Sequence, residues 1–163
     1  MELMGMTLVV IQTTESLIAL CMNFVVQDDP PMTPEKFHRL VEKQRSTTLG
    51  KFLNQLRRRV ALDEDFDARL GKFLEMRNQF VHGLCEVKGL SFDTKPGLEV
   101  ADIFVRTLAT DATYFIKVFA GIIREWQEQQ GWPSLIPEGA EALFNEIDAV
   151  YKPLANEIFL RKD

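Results

Sequence analysis

The sequence predicts an all-α fold, a single-domain bundle of about five to six helices spanning residues 1–163. Apolar residues recur at alternating three- and four-residue steps, which is the spacing of one helix face. No stretch shows the apolar–polar alternation typical of a strand. The sequence also contains no internal repeat and no low-complexity segment. The composition, with 46% hydrophobic and 26% charged residues over 163 positions, is that of one globular domain able to bury its own core.

Prolines and capping residues place the first two helices. The first helix is predicted over residues 6–26, and it ends at the Asp-Asp-Pro-Pro stretch 28–31 because these residues cannot continue a helix. Thr33 before Pro34 is typical of an N-cap followed by proline at the first helical position. A second helix is therefore expected to run to about Gln44.

Short polar stretches provide caps for the next two helices. The Ser-Thr-Thr stretch 46–48 offers a cap for a third helix that runs to about Val60. Asp63 or Asp65 can cap a fourth helix, which is predicted over residues 64–83.

The second half of the chain is predicted to hold one long helix and one short one. Residues 88–97 contain two glycines and a proline, which is typical of a loop. The apolar periodicity then predicts a fifth helix over residues 99–130, long enough to be the spine of the bundle. A glycine and two prolines interrupt before a last helix, expected over residues 138–151. Pro153 leaves its continuation to Leu160 open.

The charges are unevenly distributed around a net charge of −5. Residues 36–59 carry eight basic side chains and one acidic one, whereas residues 125–151 carry six acidic side chains and no Lys or Arg. We therefore expect an electrically two-sided molecule whose basic side attracts a polyanion. The alternative interpretation is a pair of solvated helix faces.

The most informative segment is the sequence Arg-Asn-Gln-Phe-Val-His, which ends at His82 near the end of the predicted fourth helix. Arg77 falls on the apolar side of this helix, between Phe73 and Val81 at four-residue steps. Asn78 and His82 are also four residues apart, so they lie one turn above the other. Arginine holds phosphates and histidine transfers protons near neutral pH, so the pair indicates RNA cleavage without a metal.

These residues resemble the HEPN family, whose motif is arginine, four to six residues and histidine, usually with Asn, Asp or His after the arginine. Arg77, Asn78 and His82 match this motif position by position. Glu-Ser-Leu at 15–17 and Thr-Leu-Gly-Lys at 48–51 also resemble family features, so the resemblance covers most of the chain. It implies a helical bundle that works as a homodimer, with two copies of the motif in one cleft.

The predicted activity is that of a metal-independent endoribonuclease of toxin or defence type, leaving 2′,3′-cyclic phosphate and 5′-hydroxyl ends. Arg77 is expected to pair with the scissile phosphate and His82 to transfer the proton, while Asn78 orients His82 or the phosphate. One histidine cannot be both acid and base in one turnover, and His38 has no feature that suggests a catalytic role. A symmetric dimer supplies the second set of groups. The predicted RNA contacts are Lys51, Arg57, Arg58 and Arg59.

Two alternatives come from other classes of protein. The chain could be a non-catalytic HEPN-like module that binds a nucleotide or a partner protein, or a regulatory or antitoxin-like subunit whose dimer face is its function. In these cases Arg77 would pair with a carboxylate such as Glu15 or Glu75, and His82 would cap the helix. A cognate antitoxin is a further expected partner. Leu84 stands where related toxins often carry a tyrosine that the antitoxin modifies, so nucleotide addition at this position is not expected.

No cofactor or metal site is predicted, because the sequence has no Cys or His cluster, no glycine-rich phosphate loop and no nucleophile elbow. Cys21 and Cys85 are expected to be buried free thiols in a reducing cytosol. The apolar run 8–11 is broken by polar residues, so neither a signal peptide nor a membrane span is expected, and the predicted location is cytoplasmic.

Overall fold

The computed structural model describes residues 2–24, 49–131 and 136–161, and these residues confirm the all-α class. The helices are α1 (Glu2–Phe24), α2 (Leu49–Arg59), α3 (Glu64–His82), α4 (Lys95–Gln129), α5 (Glu141–Glu146) and α6 (Lys152–Ile158). A 3₁₀ turn at Leu84–Glu86 follows α3, and a π-helical turn at Ile147–Tyr151 joins α5 to α6. The helix predicted to run to Gln44 lies outside the described residues.

Two compact units divide the chain. Unit 1 comprises Met1–Thr14 and Glu64–Phe115, and unit 2 comprises Glu15–Asp63 and Ile116–Asp163. Helices α1 and α4 contribute residues to both units. The prediction of one domain over the whole chain stays a prediction.

Aromatic rings from α3 and α4 form the centre of unit 1. Phe73 and Phe115 are fully buried with ring centroids 5.1 Å apart, and Phe66 meets Phe115 nearly edge-on at 5.6 Å. From α1, the buried Thr14 hydroxyl lies 2.8 Å from the Val10 carbonyl and 3.1 Å from the Ala112 carbonyl. Burying each ring contributes on the order of 1.5–3 kcal/mol, so these contacts hold α3 on α4.

Helix α4 begins at Lys95, which is earlier than the predicted start at residue 99. Thr94 is the reason, because its hydroxyl accepts a hydrogen bond from the Gly97 backbone N–H at 3.2 Å. Pro96 sits in the first turn, where a missing N–H costs nothing. Gly97 lies against the Ser91 backbone, where a Cβ would come within 2.6 Å of the Ser91 nitrogen. The expected loop over residues 88–97 is therefore shorter than predicted.

The helical segment in the last part of the chain continues past Pro153, the point that the sequence left open. Pro153 is the second residue of α6, and the π-helical turn ends two positions before it, at Tyr151. Proline is tolerated in the first turn of a helix, and the helical segment runs from Glu141 to Ile158. The predicted start at residue 138 is three residues too early.

Two three-residue strands in unit 2 were not predicted. Strand β1 (Val60–Leu62) pairs antiparallel with β2 (Phe159–Arg161), with Val60 opposite Arg161 and Leu62 opposite Phe159. Phe159 also contacts Phe119 of α4 edge-on, with ring centroids 5.8 Å apart. Helix α2 consequently ends at Arg59, one residue before the predicted end, because the next residue joins the strand pair.

Candidate functional site

Helix α3 carries the motif and has the predicted extent, since it runs from Glu64 to His82. Its first turn contains the acidic side chains Glu64, Asp65 and Asp67, which stabilise the positive end of the helix dipole. Gly83 follows the last helical residue with φ −146°, outside the left-handed region, and its N–H donates to the Gln79 carbonyl at 2.9 Å. The helix therefore ends directly after the histidine, as expected, without a left-handed glycine cap.

The buried side of α3 does not extend to the end of the helix. Phe66, Leu70 and Phe73 are buried, whereas Arg77 is only half-buried and Val81 is 42% exposed. The prediction that the apolar side continues into the core through Val81 is therefore wrong for this last turn. The motif lies where α3 leaves the core of unit 1.

Arg77 and Asn78 are joined by a hydrogen bond within the motif. The Nη1 group of Arg77 donates to Oδ1 of Asn78 at 3.0 Å, in an exposed position. Arg77 also takes part in a further interaction within the protein. A guanidinium has five N–H donors in a planar fork, and the bond to Asn78 uses one of them. In this conformation Asn78 orients Arg77 and makes no hydrogen bond to His82.

His82 is the last residue of α3, and its side chain is exposed. Within the described part of the chain, it makes no hydrogen bond and no ion pair. It therefore does not cap the helix by bonding a carbonyl there, which the structural interpretation of the motif required. Both ring nitrogens are open to a ligand, and an imidazole in this state can donate or accept a proton.

The helix directs Arg77 and His82 to different sides. Five residues along an α-helix correspond to a rotation of about 140° and a rise of about 7.5 Å. Asn78 and His82, in contrast, are only about 40° apart around the helix. One copy of α3 therefore presents its arginine and its histidine in diverging directions.

A second arginine on α3, Arg69, forms an ion pair with a carboxylate of α4. Nε and Nη2 of Arg69 both donate to Oδ1 of Asp111 on α4, at 3.0 and 2.7 Å. The Arg69 guanidinium carbon also lies 3.9 Å from the centroid of the Tyr114 ring. This ion pair was not predicted from the sequence. The one available signal was the position of Asp111, a charged residue next to Ala112, which belongs to the apolar side of α4. The ion pair ties α3 to α4 about two turns before the motif.

The predicted RNA contacts in the described residues are all exposed on α2. They are Lys51, Arg57, Arg58 and Arg59. These residues belong to unit 2, whereas Arg77, Asn78 and His82 belong to unit 1. The other basic residues of the predicted basic side, at positions 36–45, lie outside the described residues.

Four described acidic side chains of the stretch 125–151 are paired with cations, while the expected two-sided charge pattern stays a prediction. Lys117 donates to both carboxylate oxygens of Glu146, at 2.7 and 2.9 Å. Arg124 donates to both oxygens of Asp148, and this hydrogen bonding holds the pKa of the Asp148 carboxyl below its ordinary value. Lys152 pairs with Glu128 and lies near Glu125. These ion pairs stabilise the packing of α4 on the α5–α6 segment within unit 2.

The two cysteines differ, because only Cys21 has the predicted burial. Cys21 is buried in α1, and burial raises the pKa of its thiol. Cys85 is exposed, contrary to the prediction, because it lies in the 3₁₀ turn after α3, where the chain has left the core. Among the described residues, no group of three or more His, Cys, Asp or Glu side chains is placed to hold a metal ion.

Helix α1 is the most apolar of the four long helices α1 to α4. By length and composition alone, its segment Glu2–Met22 could cross a membrane, and 28% of the most apolar window is buried inside the protein. Signal sequences and core helices of soluble proteins have the same properties. Thr7, Ile11 and Thr14 form a buried line along this helix in unit 1, at the spacing of a core helix.

No family model matches the chain, and neither a curated protein nor a solved structure matches it.

Proposed function

We propose that this protein is a HEPN-like, metal-independent endoribonuclease of toxin or defence type that acts as a homodimer. The observation that carries the proposal is the state of the motif at the exposed end of α3. There the half-buried Arg77 is held by Asn78, while His82 is exposed and has no partner within the described residues. The ion pair of Arg69 with Asp111 and the packing of Phe73 give this end a rigid support.

The proposed reaction is an internal transesterification of RNA. The 2′-oxygen forms a bond to phosphorus while the bond from phosphorus to the 5′-oxygen breaks, leaving a 2′,3′-cyclic phosphate and a 5′-hydroxyl. The proton of the 2′-hydroxyl goes to one imidazole, and another imidazole gives a proton to the leaving 5′-oxygen. Arg77 donates to the non-bridging phosphate oxygens, where negative charge builds up in the transition state.

The diverging directions of Arg77 and His82 support a site shared by two copies. Arg77 and His82 of one α3 point about 140° apart, so they do not face the same phosphate. In a dimer, Arg77 of one copy and His82 of the other can face one phosphate together. Val81, which is 42% exposed beside the motif, is an apolar side chain that such a contact would cover. A cytoplasmic location completes the proposal, because both cysteines are free thiols. A cognate antitoxin or regulatory protein is the further partner that we propose.

Cleavage of total RNA by the purified protein in EDTA tests the proposal. We expect wild-type protein to cut, and the His82→Ala and Arg77→Ala variants to lose cleavage while staying folded and dimeric. Lys72→Ala is the matched control, because Lys72 is an exposed basic residue on the same helix and should cut like wild type. The new ends should carry cyclic phosphate and 5′-hydroxyl groups. If the wild-type protein is dimeric and does not cut RNA, the result would argue against the proposed ribonuclease activity.

Mixed dimers test the shared cleft separately. A dimer with one His82→Ala chain and one intact chain should lose most of its activity if the two histidines act as acid and base in one cleft. Full activity in such a dimer would contradict the shared site and leave a one-chain mechanism.

A non-catalytic module that binds a partner protein is the second candidate. It is favoured by the large apolar side chains that unit 1 exposes. These are Met6, Leu8, Val9, Val81, Phe92, Leu98 and Ile103. A partner protein that covers these side chains would bury apolar area, which favours association. RNA that stays intact under every condition, together with stable binding of a partner, would favour this second function.

A further inference from the structure

The three consecutive arginines at the end of α2 point in three different directions. The buried side chains of this helix are Phe52, Leu53 and Leu56. With a rotation of about 100° per residue, Arg58 and Lys51 lie about 150° or more from the middle of that buried side. Arg57 and Arg59 lie within about 95° of it, so they border the buried side. One charged stretch in the sequence therefore contains two kinds of position.

The contacts of these residues follow the same division. Arg57 and Arg59 each take part in an interaction within the protein. Lys51 and Arg58 are exposed and make no hydrogen bond or ion pair in the described part of the chain. Two cations on the outer side of α2 thus have no partner there, whereas the two at its margins are already engaged.

The outer side of α2 offers cations and amides and no aromatic ring. Asn54 and Gln55 are exposed between Lys51 and Arg58, and the aromatic residue of this helix, Phe52, is buried. Lys51 and Arg58 are seven residues apart, which corresponds to a rise of about 10.5 Å along one line of the helix. Ammonium and guanidinium groups bind phosphate oxygens, and phosphate contacts carry no sequence information, so this surface fits the RNA backbone.

We propose that Lys51 and Arg58, with Asn54 between them, bind RNA through its phosphates irrespective of sequence, and that Arg57 and Arg59 instead stabilise the fold. This inference rests on the proposed function, in which RNA is the substrate. It divides the basic helix into a binding face and two structural margins.

The salt dependence of RNA binding tests this division. The full chain with His82→Ala keeps the RNA intact, and anisotropy of two labelled single-stranded RNAs of different sequence is measured over a series of KCl concentrations. The plot of log K against log salt has a negative slope. Lys51→Gln and Arg58→Gln should each make this slope less steep by about 0.7, the value for one lost phosphate contact. Both RNAs should lose affinity equally. Arg57→Gln, with the same change of charge one residue away, should keep the slope and lower the melting temperature.

Several outcomes would overturn the inference. An equal loss of slope in Arg57→Gln and Arg58→Gln would mean that the arginines act only as a diffuse charge. Loss of affinity for one RNA and not for the other would mean that the face reads bases. If Lys51→Gln and Arg58→Gln bind RNA like the parent while the wild type cuts RNA in EDTA, the inference fails and the proposed function stands. If the wild type neither binds nor cuts RNA, both fail.

Discussion

Replacing Gly121 by alanine should destabilise the protein, although the substitution lies in the interior of α4, where alanine is the better helix former. Gly121 faces the backbone of the π-helical turn and the first residue of α6. A Cβ built on Gly121 would lie 2.8 Å from the Tyr151 carbonyl oxygen, 2.9 Å from its carbon and 3.0 Å from the Lys152 nitrogen. These atoms are backbone, so they cannot move aside as the end of a flexible side chain can.

Two opposing effects set the size of the change. Alanine in place of glycine stabilises a helix interior by about 0.8–1.0 kcal/mol. Forcing a methyl group into a packed contact costs about 1–3 kcal/mol, and contact with backbone favours the upper part of that range. The net loss in the free energy of unfolding should therefore be about 1–2 kcal/mol, which lowers the melting temperature by about 2–8 °C in a protein of this size.

Gly5 provides the matched control, because it is also inside a helix and, apart from the neighbouring backbone of α1 itself, no described atom lies within 4 Å of the position of its Cβ. Gly5→Ala should raise the melting temperature by about 2–4 °C through helix propensity alone. Circular dichroism during heating measures both variants, with urea unfolding as a check that the transition is two-state. A Gly121→Ala protein as stable as Gly5→Ala would refute the close contact between α4 and the π-helical turn.

Three further predictions concern two ion pairs and the accessibility of the two thiols. Arg69→Ala should lower the free energy of unfolding by about 1–3 kcal/mol in urea titrations, because it leaves a largely buried carboxylate without its partner. Asp148→Asn should destabilise most above the ordinary aspartate pKa of 3.8. Arg124 lowers the folded-state pKa of Asp148, so the stabilisation from this ion pair is lost as the pH falls through the lowered, folded-state pKa. In the native protein, Cys85 should react with a thiol reagent at once, and the buried Cys21 only after unfolding.

Each of these predictions has a result that would contradict it. An Arg69→Ala protein as stable as the Lys72→Ala protein would mean that the ion pair with Asp111 does not stabilise the fold. A cost of Asp148→Asn that grows as the solution becomes more acidic would have the wrong sign for a lowered pKa. Rapid labelling of two thiols per chain under native conditions would show that Cys21 is accessible.

The helices that carry the motif and the core were predictable because their signals are local. The acidic start of α3 and the glycine after His82 placed its ends within one residue of Glu64–His82. The start of α4 was wrong because Pro96 and Gly97 are typical of loops, whereas Thr94 in fact caps a helix with proline in its first turn. The strand pair could not be predicted, since three residues are too few to show alternation and the partner lies almost 100 residues away.

In the candidate site, too, local features were predictable from the sequence and long-range ones were not. The order and spacing of Arg77, Asn78 and His82 were visible in the sequence, and so was their place at the end of a helix. Their exposure was not, because helical periodicity says which side of α3 is apolar and not how far along the helix another element covers it. The ion pair of Arg69 with Asp111 was missed for a similar reason, since its partners are 42 positions apart.

The sequence by itself determined the class of fold, the extent of α3 and the chemical character of the motif, because helix propensity, capping and side-chain chemistry act over a few residues. Only the tertiary structure decided that Arg69 pairs with Asp111, which acidic side chains of residues 125–151 are paired, and that Cys85 is exposed. Those outcomes depend on which surfaces meet across long stretches of chain. Burial and ion pairing come from that packing, and no local pattern specifies it.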